Sequence, residues 1–262
     1  MHSVGSNCNY IFDVGGTLIP KTKDQIIDPL FEKWFLEFEC NHTVYLVTGS
    51  SRDICVNRIG IDVFMGAKRV YCQHGNVVYE GDIEVYRNPW RAPSEVYSFL
   101  ESEIRKSKFP NKKGGHIIDK PGYIRFTLLG SDASDDEKCD YRVWDDQAGE
   151  RDKIVRRFYK SFPHLHAEVN NKSSIGVHIY ISLPNKDKSQ VLNNIEGKVK
   201  YYGDKIYWGG NDYSTHQKIM KLGWKPLIKW EVGIENTVNW YLRNIDFLTN
   251  KYSGERLGKL SK

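Results

Sequence analysis

The chain has 262 residues, 40% hydrophobic and 27% charged, with a formal net charge of +5. These values are ordinary for a soluble globular protein and leave room for one large domain, or a core with a smaller inserted one. Lys and Arg are scattered, with only short clusters such as Lys112-Lys113 and Arg156-Arg157. No nucleic-acid partner is expected, because such a footprint is a denser stripe, whereas a small anionic substrate suits the charge. The five cysteines (Cys8, Cys40, Cys55, Cys72, Cys139) are odd in number and lack CxxC spacing, which argues against a disulfide framework and a structural zinc site. No signal-like start and no run of about 18 apolar residues is visible, so no membrane association and a cytoplasmic location are expected. The Asn-x-Ser/Thr matches at Asn41 and Asn171 then read as chance.

In chain order, Tyr10-Ile-Phe-Asp13 reads as a buried strand ending in an acid, followed by the glycine-rich turn Val14-Gly-Gly-Thr17. This places one carboxylate at a strand's carboxyl end beside backbone N–H groups that can receive an anion. Asp28-Pro29 supplies a helix cap and a first-turn proline, and Leu30, Phe31, Trp34, Phe35 and Phe38 then predict an amphipathic helix with a broad apolar face. A second strand, Thr43–Val47, runs into Thr48-Gly49-Ser50-Ser51. A short helix around Asp53–Arg58 and a strand near Val70 complete a β-α-β-α order, which implies a parallel sheet covered by helices on both faces.

The middle of the chain has a different pattern. A helix opens at Pro93-Ser94, extended segments fall near His116–Ile118 and Tyr123–Leu129, and a polar acidic stretch covers Ser131–Asp146. A helix carrying Ile154, Val155, Phe158 and Tyr159 follows, then strand-like runs at Ala167–Val169 and Val177–Leu183. This is an α+β arrangement, read as an inserted domain over residues 84–184, with residues 1–83 and 185–262 forming the core. The core pattern resumes with a short helix at Lys188, a strand Val199–Asp204, two closing helices and a polar tail after Asn250.

The candidate chemistry lies at the strand ends. Phosphoryl transfer through an aspartyl phosphate needs a nucleophilic carboxylate, a cation, donors for the phosphate oxygens and a group that manages protons. Asp13 is the nucleophile candidate. Thr48, Gly49, Ser50 and the Gly16 turn are the phosphate donors, and Lys188 neutralises charge. Asp204 and Asp212 supply carboxylates for a hard cation such as Mg²⁺. Asp212 can equally serve by orienting its neighbours.

Tyr10–Leu18 resembles the first motif of the haloacid dehalogenase superfamily, hydrophobic-hydrophobic-Asp-x-Asp-Gly-Thr. Gly15 stands where that superfamily carries its second Asp, the general acid/base. Gly203-Asp-Lys205 followed by Gly209-Gly-Asn-Asp-Tyr213 is similar to the eukaryotic-type phosphomannomutase signature. Gln73-His-Gly-Asn76 is placed like that family's Glu-Asn-Gly, Asp187-Lys188 like its Asp-Lys, and Lys112-Lys-Gly-Gly115, Gly122 and Gly130 follow its cap pattern. The resemblance implies a Rossmann-like haloacid dehalogenase core with an α+β cap of the C2B type, and a phosphorylated substrate between them. It further implies Asp13, the Gly15 carbonyl and Asp204 as metal ligands, and it is compatible with a homodimer through the cap. Lys120 and Ser131 occupy positions of the family's sugar-phosphate-binding arginines, Tyr180 replaces an Asp that contacts the sugar, and Arg125 is a nearby cation that can substitute. Three functions stay open: a Mg²⁺-dependent phosphatase or phosphotransferase for a sugar phosphate or nucleotide, a phosphomannomutase-like protein kept for ligand or partner binding, and a full phosphomannomutase.

Overall fold

A computed structural model describes residues 8–21, 24–170, 176–207, 210, 212–223 and five positions between 232 and 239. Most of the expected last helix, the tail after Asn250, Asn171, and Gly209 and Asn211 of the carboxyl-terminal motif lie outside the described residues. The chain forms two compact units, Met1–Lys218 and Ile219–Lys262. The first begins β1 (Cys8–Asp13), α1 (Pro29–Asn41), β2 (Thr43–Val47), α2 (Arg52–Ile59), α3 (Ile61–Gly66), β3 (Arg69–Cys72), β4 (Val77–Glu80) and β5 (Ile83–Arg87). It continues with α4 (Ser94–Lys106), β6 (Ile117–Lys120), β7 (Tyr123–Phe126), α5 (Asp135–Ala148), α6 (Glu150–Ser161), β8 (His166–Val169), β9 (Ile179–Ser182) and β10 (Lys198–Tyr202). Helix α7 spans Tyr213–Lys221.

Two sheets result. The first has the order β10-β1-β2-β3-β4-β5; β10, β1, β2 and β3 pair in parallel and β4 and β5 add an antiparallel edge. Its central strands β1, β2 and β3 are largely buried on both faces, as the middle of a parallel sheet requires, whereas β5 is exposed and β10 alternates. Phe12, Val44, Leu46, Val70 and Cys72 share one cluster with Phe35 of α1, Ile59 of α2 and Val63 and Phe64 of α3. Burying each of these large side chains contributes about 1.5–3 kcal/mol. Ile11, Asp13, Tyr45, Val47 and Tyr71 alternate with them and are also buried.

Helix α1 starts as its sequence predicts. Asp28 Oδ1 accepts from the Leu30 and Phe31 N–H groups at 2.9 and 3.0 Å, satisfying donors that the first turn leaves orphaned. Its apolar face is narrower than expected. The stripe Phe31-Phe35-Phe38 joins the sheet's cluster, with the Phe35 and Phe38 rings 5.2 and 6.0 Å from Phe12. Leu30 and Trp34, one residue ahead along the helix, stay 82% and 51% exposed.

The second sheet, β6-β7-β9-β8, is wholly antiparallel. Ile124, Phe126, Ile179, Ile181 and Ala167 join Val96 and Leu100 of α4, Tyr141 of α5 and Ile154 and Phe158 of α6 in a second cluster. The period-2 alternation of strands leaves Lys120, Tyr123, Arg125, Tyr180 and Ser182 for the opposite face. Two boundaries differ from the sequence reading. The segment 84–87 belongs to β5 and pairs with β4 in the first sheet, so that sheet extends past residue 83. The acidic stretch 131–146 is mostly helix α5, started by a capping box in which Ser134 Oγ accepts from the Glu137 N–H and Glu137 accepts from the Ser134 N–H.

Candidate active site

Parallel pairing brings the carboxyl ends of β10, β1, β2 and β3 to one edge of the first sheet, where ligands bind in open α/β folds. Asp13 ends β1 opposite Val47, so Thr48 follows directly beside it. Asp204 lies two residues past β10. Lys188 begins a 3₁₀ turn, Lys188–Asn194, whose start is capped by Asp187 accepting from the Ser189 N–H at 2.8 Å.

These residues converge. The Lys188 ammonium donates to Asp13 Oδ1 at 2.5 Å and to Asp212 Oδ1 at 2.9 Å, and all three side chains are at most 2% exposed. Asp212 also accepts from the Tyr201 hydroxyl at 2.7 Å and, on Oδ2, from the Lys205 N–H at 3.2 Å. Both its oxygens are therefore engaged, which suits a residue that fixes Lys188. Asp13 Oδ2 and Asp204 Oδ1 are buried without a hydrogen-bond partner. Carboxylate oxygens of Asp13, Asp204 and Asp212 all fall within 4.8 Å of one another. Burial pushes the Asp13 carboxyl up to about 6 against the pull of the Lys188 ammonium, and Asp212 raises it further. Three carboxylates against the buried Lys188 ammonium and the more exposed Lys21 ammonium leave one negative charge at this edge, and the two oxygens without a hydrogen bond fit a hard, oxygen-seeking cation.

The turn after β1 is tight and closes on itself, so the Gly16 N–H expected to receive an anion is already bonded within the turn. Gly16 has φ +91°, a region that favours glycine, and its N–H is drawn to the Ile19 carbonyl at 2.9 Å. A Cβ there would meet Asp204 Oδ2 at 2.7 Å, so the turn and Asp204 touch. A Cβ on Gly15 would meet nothing within 4 Å, so this position is open to a larger side chain. In the β2 loop, Thr48 is buried and its hydroxyl accepts from the Ser50 N–H at 3.1 Å. Gly49 lies against the His74 ring: a Cβ on Gly49 would be 2.8 Å from His74 Cε1.

Lys120 and Arg125 are not part of this cluster. They sit on the second sheet, Lys120 opposite Tyr123 at a strand end and Arg125 between Ile118 and Tyr180. Arg125 Nε is buried with no hydrogen-bond partner. The sheets meet through the turn after β3, where the Tyr123 hydroxyl donates to Gln73 Oε1 at 2.7 Å. Ser131, at a family arginine position, instead closes a turn against Gly115, its N–H donating to the Gly115 carbonyl at 3.1 Å.

Sequence reasoning missed four neighbours of the site. Lys21 ion-pairs with Asp204, Tyr201 anchors Asp212, and Gln190 donates to the His74 carbonyl at 2.9 Å. His74 is the fourth. Its signal lay in Gln73-His-Gly75 directly after a parallel strand, a place where loops carry function.

The model of the family described as eukaryotic phosphomannomutase matches residues 91–226, just over half of the chain. The phosphomannomutase of Dendrobium officinale is 24% identical over 221 residues, covering 81% of this chain and 86% of that protein. The phosphomannomutase of Spinacia oleracea is 26% identical over 213 residues, covering 78% and 84%. Among solved structures, Aspergillus fumigatus trehalose-6-phosphate phosphatase aligns with a TM-score of 0.56 at 12% identity over 84% of this chain and 79% of that one. An N-terminally truncated Plasmodium falciparum IMP-nucleotidase aligns at 0.51 and 14% identity, covering 80% and 64%. At these identities the structural matches speak for the fold, a sheet with an inserted cap as in the haloacid dehalogenase phosphatases. The family match, the relatives aligned over about four fifths of the chain and the carboxylate-lysine edge agree: the chain belongs to the eukaryotic phosphomannomutase family of the haloacid dehalogenase superfamily.

Proposed function

We propose that this protein is a Mg²⁺-dependent phosphatase or phosphotransferase for a small phosphorylated metabolite, a sugar phosphate or a nucleotide, acting through an aspartyl phosphate on Asp13. The observation that carries this reading is the buried Lys188 bridging Asp13 and Asp212 beside the partnerless oxygens of Asp13 and Asp204. An uncompensated buried carboxylate costs several kcal/mol, so such an array is kept for what it binds.

Asp13, the Gly15 carbonyl and Asp204 would hold Mg²⁺, which supplies charge neutralisation and Lewis-acid polarisation of the phosphoryl group when bound. Asp13 attacks phosphorus as the substrate's P–O bond breaks, and water later attacks the acyl phosphate, releasing phosphate and restoring the carboxylate. Lys188 screens Asp13 from the incoming phosphate's charge. The Thr48 hydroxyl and the Gly49 N–H donate to the phosphate oxygens, and the Gly16 N–H joins them only by leaving the Ile19 carbonyl.

Gly15 brings no carboxylate. General acid/base groups contribute roughly 10²–10⁴-fold, so its absence weighs most on mutase chemistry, which must deprotonate an acceptor hydroxyl, and least on substrates with good leaving groups. Lys120, Ser131 and Tyr180 depart from the family's sugar contacts, while Arg125, with its unsatisfied Nε, is a cation for an anionic part of the ligand. The same departures favour a second reading, a phosphomannomutase-like protein that binds ligand or partner with little catalysis. A cytoplasmic setting and a homodimer through the cap are part of the proposal.

The reading is tested by trapping. Borohydride quenching during turnover should convert Asp13 to homoserine, seen as a mass change on its peptide and absent in Asp13→Asn. Turnover with no label on Asp13 contradicts the covalent route. Phosphosugar binding without turnover, with activity appearing in Gly15→Asp, selects the second reading.

A further inference from the structure

Position 15 leaves the site without its expected proton carrier, and the turn after β3 brings another titratable group to the same place. Gln73 and His74 both have positive φ, +51° and +61°, followed by Gly75 at +86°. For non-glycine residues such a backbone is strained and persists only where surroundings enforce it. Here they do. The Gln73 N–H donates to the Ser50 carbonyl at 3.0 Å and the His74 N–H to the Thr48 carbonyl at 2.9 Å, lacing the turn to the phosphate loop. Gln190, two residues past Lys188, donates to the His74 carbonyl.

The ring is held on two sides. On the first sheet it lies against Gly49: a Cβ there would be 2.8 Å from Cε1 and 3.0 Å from Nε2 of His74. On the second sheet it meets Tyr123 and Tyr180 edge-on, with centroids 5.7 and 5.8 Å away. Arg125 lies on the same sheet face, opposite Tyr180 and two residues past Tyr123. The phosphoryl group belongs beside Asp13, Thr48 and Lys188, and the organic part of a substrate on the side of Lys120, Arg125 and Tyr180. The bridging oxygen must lie between them, and His74 touches the residues of both sides. Burial raises both tyrosine hydroxyls above their usual range, so they stay protonated and are not the base. His178, 6.4 Å from Tyr180, is displaced further into the cap, and burial lowers it to about 4.

We propose that His74 is the general acid/base of this site, carrying the proton that Gly15 cannot; the proposal rests on Asp13-dependent phosphoryl transfer. As the Asp13–P bond forms and the substrate's P–O bond breaks, the His74 imidazolium gives its proton to the leaving oxygen. Neutral imidazole then takes a proton from the water that attacks the acyl phosphate, and the Asp13 carboxylate and free phosphate result.

His74→Asn is the test, since Asn tolerates the left-handed backbone. Turnover of a sugar phosphate and of 4-nitrophenyl phosphate is measured with Mg²⁺, for the wild type, His74→Asn, Asp13→Asn and the double variant Gly15→Asp with His74→Asn. The expected result is a loss in kcat for His74→Asn of roughly 10²-fold or more on the sugar phosphate and only a few-fold on the aryl ester, because a good leaving group needs no proton. Gly15→Asp should recover the sugar-phosphate rate. If His74→Asn folds poorly, His74→Gly with added imidazole should regain the lost kcat. Equal losses on both esters, a change confined to KM, or no rescue by imidazole overturns the role of His74 while leaving Asp13 chemistry in place. If no ester shows turnover that Asp13→Asn removes, the reading of the site fails and this role with it.

Discussion

The carboxyl edge of the six-stranded sheet and the open face of the four-stranded sheet handle charge in opposite ways. At the edge, Lys188, Asp13 and Asp212 are buried and mutually bonded, and neighbours such as Tyr201 and Lys205 fix Asp212 in turn. On the open face, Arg125 keeps a buried Nε without a partner, and Lys120 sits at a strand end. Pre-arranged charge needs no reorganisation when a phosphoryl group arrives, so the edge fits a constant chemistry. A cation still lacking a partner fits the recognition of whatever the phosphate is attached to. Departures from the resembled pattern fall in both regions: Lys120, Ser131 and Tyr180 on the cap side, and Gly15 and Gln73-His74 on the core side.

Substitutions at the edge should therefore cost far more than those on the face. Asp13→Asn should remove phosphate release by about 10³-fold or more, measured under saturating substrate. Lys188→Ala leaves two buried carboxylates facing each other without their shared cation. It should lower unfolding free energy by about 3–5 kcal/mol, seen by denaturant titration, with added Mg²⁺ restoring part of the loss. Arg125→Ala should weaken a sugar phosphate or nucleotide by about 1.5–3 kcal/mol, roughly 10–150-fold in Kd, while leaving 4-nitrophenyl phosphate within a few-fold. Equal effects of Arg125→Ala on both ligands would erase the distinction between the two regions.

The smallest expected effect lies away from both. Glu39 of α1 is buried against Gly66, both its carboxylate oxygens lack partners, and burial pushes it up to about 8. A carboxyl raised in the folded state contributes stability present below its unfolded value near 4.5 and lost as pH rises through 8. Glu39→Gln should thus raise Tm by more at pH 9 than at pH 5. A gain independent of pH would mean that Glu39 is not held neutral.

Much of the edge was legible because its residues follow strands whose apolar pattern is unambiguous. Asp13, Thr48, Lys188 and Asp204 fall at predicted strand or turn boundaries, and a parallel sheet gathers such boundaries at one edge. The β-α-β-α order likewise fixed the parallel strands. Other features depend on contacts far apart in sequence. His74 and Tyr123, 49 positions apart, meet only when the two sheets do, and the Lys21–Asp204 pair spans nearly the whole core. Helix α5 was overlooked for a local reason. Its acidic face is solvated and only Tyr141, Trp144 and Asp145 turn inward, although Ser134-Asp-Asp-Glu137 carries the capping signal. Leu30 and Trp34 mislead in the other direction, since helical spacing identifies a stripe without saying how much of it a neighbour covers.

The most direct test of the central claim is phosphate release from a panel of sugar phosphates, nucleotides and 4-nitrophenyl phosphate, with Mg²⁺ and with chelator, for the wild type beside Asp13→Asn. The account predicts turnover of at least one ester that chelation and Asp13→Asn each abolish. Turnover that survives both, or none on any ester even with Asp restored at position 15, would contradict it.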